Sequence, residues 1–226
     1  MDFWSRFPDS TLLAEASLWS ADFTRLGSEI ERVDPYVDLY HIDVCDAHFV
    51  SGLLFFPDMV AALRPLTRKP FHVHLMTENP LSLIDDFAGA GADMITVHCE
   101  NGPRVPAALE RTARLGLAAG LALGLDVPVE SVSASLSSIN IVVLMGTAMG
   151  VKGKDLSPLA ASRIRAVRAL VKEQGVERTV RVESDGGIRA TTVPSLRAAG
   201  AQLIVMGSLA FKNEDLGSTV KWVKSL

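Results

Sequence analysis

The sequence predicts a closed (β/α)8 TIM barrel, an α/β fold in one domain over residues 1–226, and three observations carry that prediction. Short apolar runs alternate with longer amphipathic stretches, as repeated βα units on a parallel sheet require. Eight such runs occur. No Pro/Ser-rich linker or run of charge separates them, so the 226 residues read as one compact barrel, somewhat shorter than most.

In chain order the runs are TLLAEASLW (11–19), VDLYHIDV (37–44), PFHVHLM (70–76), MITVHCE (94–100), LAAGLALGL (117–125), NIVVLMG (140–146), TVRVESD (179–185) and LIVMGSL (203–209). The stretches between them carry helix punctuation. Asn79-Pro80 and Ser157-Pro158 each set a capping side chain before a proline suited to the first helical turn. Gly91, Gly116 and Gly200 then end helices just ahead of the next strand. The segments AGADMITVH (90–98) and AAGAQLIVMG (198–207) echo one another as helix end, glycine turn and strand, so one unit is reused. An open doubly wound sheet is the competing fold; the first βα junction, EASLWSADF, lacks the glycine-rich loop of its dinucleotide-binding members.

Composition narrows the function. Hydrophobic residues make up 48% and charged residues 21%, with a net charge of −4, the profile of an ordinary globule with no electrostatic reason to bind nucleic acid or a membrane. MDFWSRFPDS has no basic segment followed by an apolar run, and no stretch is long and apolar enough to span a bilayer, so a cytoplasmic location is expected. Cys45 and Cys99 fall in strand-like segments, which favours reduced thiols.

In a barrel, reactive groups gather at the C-terminal strand ends, which turns scattered polar residues into one map. Residues two apart on a strand share a side, so His41 projects with Asp43 and His72 with His74. Asp185 adds a carboxylate at the end of the seventh run. Charges buried at a barrel mouth cost several kcal/mol, about what an unpaired buried group loses, unless hydrogen-bonded or bound to a metal. Two carboxylates and two imidazoles form a set suited to divalent zinc, manganese, iron or cobalt. The competing reading is a set of hydrogen-bonded core histidines.

HIDVCDAHFV, HVHLMTENP and ESDGGI, kept in order from EASLWSADF to MGSLAF, resemble the ribulose-phosphate 3-epimerase family over nearly the whole chain. The resemblance implies that one divalent metal is held by His41, Asp43, His74 and Asp185. It also implies that Asp43 and Asp185 act from opposite faces of a bound ketose phosphate, one taking the C3 proton and the other supplying a proton to the other face. The metal would polarise the C2 and C3 oxygens and stabilise the enediolate between the two transfers. Ser17 falls on a substrate-contacting serine of the family, Met76 and Met145 on pocket methionines, and Cys45 on a third methionine position. The family also implies a homo-oligomer, a dimer or hexamer.

Glycine turns can cradle a phosphate with backbone amides. Gly186-Gly187 and Gly207-Ser208 close the last two strands and match the family, while Gly150 to Gly153 belongs to the sixth-run loop, MGTAMGVKGKD. That loop departs from the family's M-T-V-x-P-G-F-G-G-Q pattern and gains Lys152 and Lys154; Lys152 is expected to reach the phosphate or an altered sugar end, against the reading of both as solvated loop charges. Ala47, Ser51-Gly52 and His72 are further departures, His72 standing as a spare ligand or a partner to one. The expected activity is therefore inversion at C3 of a ketose phosphate, of the ribulose 5-phosphate type. Its alternatives are a tetrulose or hexulose phosphate such as allulose 6-phosphate, another phosphosugar isomerase, aldolase or decarboxylase, and a non-catalytic sugar-phosphate binder. No run contains a lysine for a Schiff base, and retention of both aspartates argues against the binder.

Overall fold

The computed structural model describes residues 3–226 and forms a closed parallel barrel wrapped by helices. The eight predicted runs become β1 (Leu13–Ser17), β2 (Leu39–Asp46), β4 (Phe71–Met76), β5 (Met94–His98), β6 (Ala118–Leu123), β7 (Ile141–Met145), β8 (Arg181–Asp185) and β9 (Leu203–Met206). The last of these pairs with β1, and β1 pairs with β2, which closes the ring. A two-residue strand, β3 (Leu53–Leu54), was not anticipated; it turns back antiparallel on the end of β2, Cys45 facing Leu54.

The helices are α1 (Leu26–Val33), α2 (Pro57–Leu63), α3 (Ile84–Gly89), α4 (Val105–Arg114), α5 (Ala160–Glu173), α6 (Val193–Ala199), α7 (Ser208–Phe211) and α8 (Leu216–Ser225). Between β6 and β7 the only helix is a 3-10 one, Val129–Ser138. Its serines hydrogen-bond locally rather than favouring an α-helix, as in Ser138 Oγ to Ser135 O. The two expected caps differ from the prediction. Asn79 makes no side-chain cap bond, and Ser157 Oγ accepts from Leu159 N at 3.3 Å one turn before α5 begins. The glycine stops hold, with φ of 97° at Gly91, 78° at Gly116 and 107° at Gly200.

Strand alternation produces two cores. Outward residues such as Ala14, Tyr40, Ile42, Val73 and Val182 pack under the helices. Inward Leu13, Leu39, Met94, Ile141 and Leu203 fill the N-terminal half of the barrel, where Phe3 and Trp4 of a short 3-10 segment plug the floor. Trp4 Nε1 donates to Asn140 O at 2.7 Å, tying the plug to the start of β7. The filled floor leaves the opposite, C-terminal end as the place for a pocket.

Candidate active site

Parallel register sets the site. Asp43 lies beside His74 across the β2–β4 ladder, and Asp185 beside Met145 across β7–β8, so side chains from separate strands meet above the packed floor. One ligand atom from each of His41, Asp43, His74 and Asp185 lies within 4.8 Å of all the others, and all four residues are buried. His41 Nε2 is 3.1 Å from His74 Nδ1, 3.3 Å from Asp43 Oδ1 and 3.7 Å from Asp185 Oδ2; His74 Nδ1 is 3.7 and 3.6 Å from those two oxygens. Donors around an ion at about 2.0–2.1 Å in tetrahedral array stand roughly 3.3–3.4 Å apart, so this donor set fits a divalent cation.

Two of the ligands, Asp43 and His74, are supported from behind. Ser17 Oγ donates to Asp43 Oδ2 at 2.7 Å. His74 Nε2 meets His98 Nε2 at 2.8 Å with the rings stacked, and His98 Nδ1 lies 3.3 Å from Glu100 Oε2, a carboxylate–imidazole chain of the kind that orients ligating histidines. The two aspartates differ. Burial opposes ionisation of Asp43, but His41 and His74 together outweigh it and hold its carboxyl far below the usual range. Burial pushes Asp185 up to about 7, the nearby charges of Asp43 and Glu15 adding to it while His41 opposes. His74 is driven down to about 3 by burial, with His98 and His41 adding to it.

Asp43 and Asp185 line a cavity of about 300 Å³ at the barrel mouth. Ser17, Met76, Met145, Gly150, Lys152, Gly153, Gly186, Gly187, Gly207 and Ser208 line it too, so the residues expected at the substrate converge, while His41 and His74 lie fully buried beneath. The glycines at its far end are there for space: a Cβ on Gly187 would fall 2.7 Å from Leu156 Cα, and one on Gly207 2.7 Å from Ser20 Oγ. Lys152 donates through Nζ to Trp19 O and sits 4.9 Å over the Trp19 ring, strapping the sixth-run loop to the end of β1. Cys45 is buried against β3 with its thiol pushed up to about 12 by burial, outside the lining of the cavity. Cys99 is likewise a free thiol pushed up to about 12 by burial.

Sequence reasoning missed Trp19, Ser20, Thr147, Arg189 and Lys212 in the lining. Trp19, at the end of the first predicted run, and Ser20 lie in a 3-10 turn (Leu18–Ser20), Thr147 and Arg189 in loops after β7 and β8, and Lys212 at the end of α7, places where strand periodicity gives no signal. It also missed Glu15 and Glu183, whose inward parity follows from Ser17 and Asp185 two residues on. His72 joins those two rather than the mouth cluster: Nδ1 is 2.9 Å from Glu15 Oε1 and Nε2 2.7 Å from Thr96 Oγ1.

The model of the ribulose-phosphate 3 epimerase family matches residues 13–211. The chain belongs to that family, and with it to the isomerases that act as epimerases on carbohydrates. It is 35% identical over 217 residues to the ribulose-phosphate 3-epimerase of Synechocystis, covering 95% of this chain and 94% of that one. It is 34% identical over 209 residues to the Bacillus subtilis enzyme of the same name, covering 92% and 96%. Among solved structures, 3-keto-L-gulonate-6-phosphate decarboxylase from Vibrio cholerae shares the fold with a TM-score of 0.72 at 16% identity, over 95% of this chain and 96% of that one. At that identity the likeness speaks to the barrel alone. No helix among the described residues is long and apolar enough to cross a membrane.

Proposed function

We propose that residues 1–226 act as one catalytic barrel that interconverts ribulose 5-phosphate and xylulose 5-phosphate by inverting C3, with one divalent ion held by His41, Asp43, His74 and Asp185. The observation that carries this reading is the convergence of those four buried donors, from β2, β4 and β8, directly under a cavity walled by glycine turns. When bound, the ion supplies a Lewis acid that makes a proton alpha to a ketone acidic enough for a carboxylate to remove.

The rest belongs to the chain's own residues. One of Asp43 and Asp185 takes the proton from C3, leaving its electron pair in the planar enediolate. The other returns a proton to C3 from the opposite face, so the product is the C3 epimer and the two aspartates exchange their protonation states. Ser17 holds Asp43 through its 2.7 Å hydrogen bond, which fixes the carboxylate's direction. Met76 and Met145 give the reacting carbons an apolar wall that keeps water from the intermediate. Amides of the Gly186-Gly187 and Gly207-Ser208 turns, with Lys152 and Lys212, receive the phosphate. A cytoplasmic homo-oligomer, dimer or hexamer, goes with this reading.

Incubating ribulose 5-phosphate, a tetrulose phosphate and allulose 6-phosphate with the protein in deuterium oxide tests it. Label should enter C3 of the pentulose fastest, as read by NMR, and Asp43→Asn and Asp185→Asn should each abolish it. Faster labelling of the hexulose would reassign the substrate; no labelling of any ketose phosphate would end the proposal and leave a binding role.

A further inference from the structure

Beneath the mouth cluster the barrel interior holds a second group of ionisable side chains that the sugar chemistry does not use. Glu15 of β1, His72 of β4 and Glu183 of β8 are each 0% exposed, and His41 presents its Nδ1 edge to them while Nε2 faces upward. Among the described residues the ion-pair partners of Glu15 and Glu183 are imidazoles alone; no lysine or arginine reaches either carboxylate. Two enclosed carboxylates without a cation are costly, and the hydrogen bonds that would offset the cost are incomplete. Glu15 Oε2, His41 Nδ1 and both oxygens of Glu183 are buried without a partner.

The spacing repeats that of the mouth. His72 Nδ1 stands 2.9 Å from Glu15 Oε1 and 3.7 Å from Glu183 Oε2, and His41 Nδ1 3.4 Å from Glu15 Oε1 and 3.6 Å from Glu183 Oε1. Ligand atoms of the four residues again fall within 4.8 Å of one another. The two His72 separations, 2.9 and 3.7 Å, fall on either side of the roughly 3.3–3.4 Å edge of a tetrahedral donor set, and the two from His41 Nδ1, 3.4 and 3.6 Å, are longer than ordinary hydrogen bonds. His72 has a partner for either edge: were Nδ1 to bind a cation, Nε2–H would donate to Thr96 Oγ1, 2.7 Å away.

We propose that Glu15, His72 and Glu183 form a second, fully enclosed divalent-cation site stacked beneath the first, of the zinc, manganese or cobalt class. Second oxygens of the two carboxylates complete its coordination. His41, bound above through Nε2, keeps its proton on Nδ1 and donates it toward the same carboxylates, so the two ions are linked through one ring.

The test uses protein produced with zinc in the medium and dialysed against zinc-free buffer, with the metal counted by elemental analysis. Two zinc ions per chain are expected, falling to one in Glu15→Gln/Glu183→Gln and to one in Asp43→Asn/Asp185→Asn. An anomalous difference map at the zinc edge from wild-type crystals needs no variant and should show a peak among Glu15, His72 and Glu183. One zinc per chain, lost only with Asp43 and Asp185, overturns the second site while leaving the proposed function standing. Two zinc ions that both survive Glu15→Gln/Glu183→Gln place the extra ion elsewhere and also overturn it. No zinc in either position overturns both readings.

Discussion

Ser17 lines the cavity beside Asp43, and its hydroxyl has one visible task, donation to Asp43 Oδ2. A hydrogen bond to a charged group contributes about 1.5–3 kcal/mol, so Ser17→Ala should lower kcat/KM by roughly 10- to 100-fold. Loss in kcat with KM little changed is the expected split, because a misdirected carboxylate hurts proton transfer before binding; a drop confined to KM would make Ser17 a substrate anchor instead. Lys152 makes the opposite case. Burial lowers its ammonium pKa against the pull of Asp43, and its tip lies on the Trp19 carbonyl at the cavity wall. A cation there assists an anionic substrate in ground and transition states alike, so Lys152→Ala should raise KM by about 10-fold at nearly constant kcat, a loss of about 1.4 kcal/mol of uniform binding. Steady-state kinetics at low and high salt would check it, since the effect should shrink as salt screens the charge.

At the scale of elements, the segment leaving β2 is held by one carboxylate. Asp46 accepts from the backbone N–H of His48 at 2.9 Å, Phe49 at 2.8 Å and Glu78 at 2.7 Å, joining the loops that follow β2 and β4 on the rim of the mouth. Ala47 beside it takes a φ of 61°, a left-handed conformation that the neighbouring clamp must hold. Burial resists ionisation of Asp46, but the three N–H donors outweigh it and hold its pKa below 3.8. A depressed carboxyl stabilises the fold fully above its unfolded pKa and loses that contribution as pH falls through the folded one. Asp46→Ala should therefore cost about 1–2 kcal/mol at pH 6, on the scale of net hydrogen bonds lost, and the gap to wild type should close below pH 3.8. Urea unfolding at the two pH values measures it, and a gap that persists in acid would mean the loss is one of packing. Much of this scale is legible in the sequence: period-two alternation puts His41 with Asp43, and glycines mark the helix ends. The depth of each inward residue is not. Strand direction puts His72 a layer below His74, but parity cannot say that Glu15 and Glu183 share its layer, because that depends on the stagger of neighbouring strands, which closure sets. Asn79 and Ser157 mislead for a related reason, since the loops into which they fold fix their rotamers more firmly than their intrinsic capping preference does.

Across the whole molecule, four buried carboxylates, Glu15, Asp43, Glu183 and Asp185, converge along the barrel axis, and among the described residues their ion-pair partners are imidazoles alone. The closed ring that brings them together is built from apolar contacts on its outer and lower faces, so the fold itself does not depend on the polar column. Its stability does. Burial, with Glu15 adding to it, drives Glu183 well above the normal range, and Asp185 rises to about 7, both signs of an interior that resists carrying its full negative charge. A divalent ion that binds the folded chain and not the unfolded one stabilises it by about 2.7 kcal/mol when present at 100 times its Kd and about 4 kcal/mol at 1,000 times. At roughly 2–4 °C per kcal/mol for a chain of this size, stripping the metal with a chelator should lower Tm by about 5–15 °C, and stoichiometric zinc, manganese or cobalt should restore it. Calorimetry on native, chelated and reloaded protein reads this directly. The same experiment on Asp43→Asn/Asp185→Asn should show a smaller fall on chelation, because that variant has already given up the mouth ion; a native Tm indifferent to chelation would mean that the polar column is held together by protons alone.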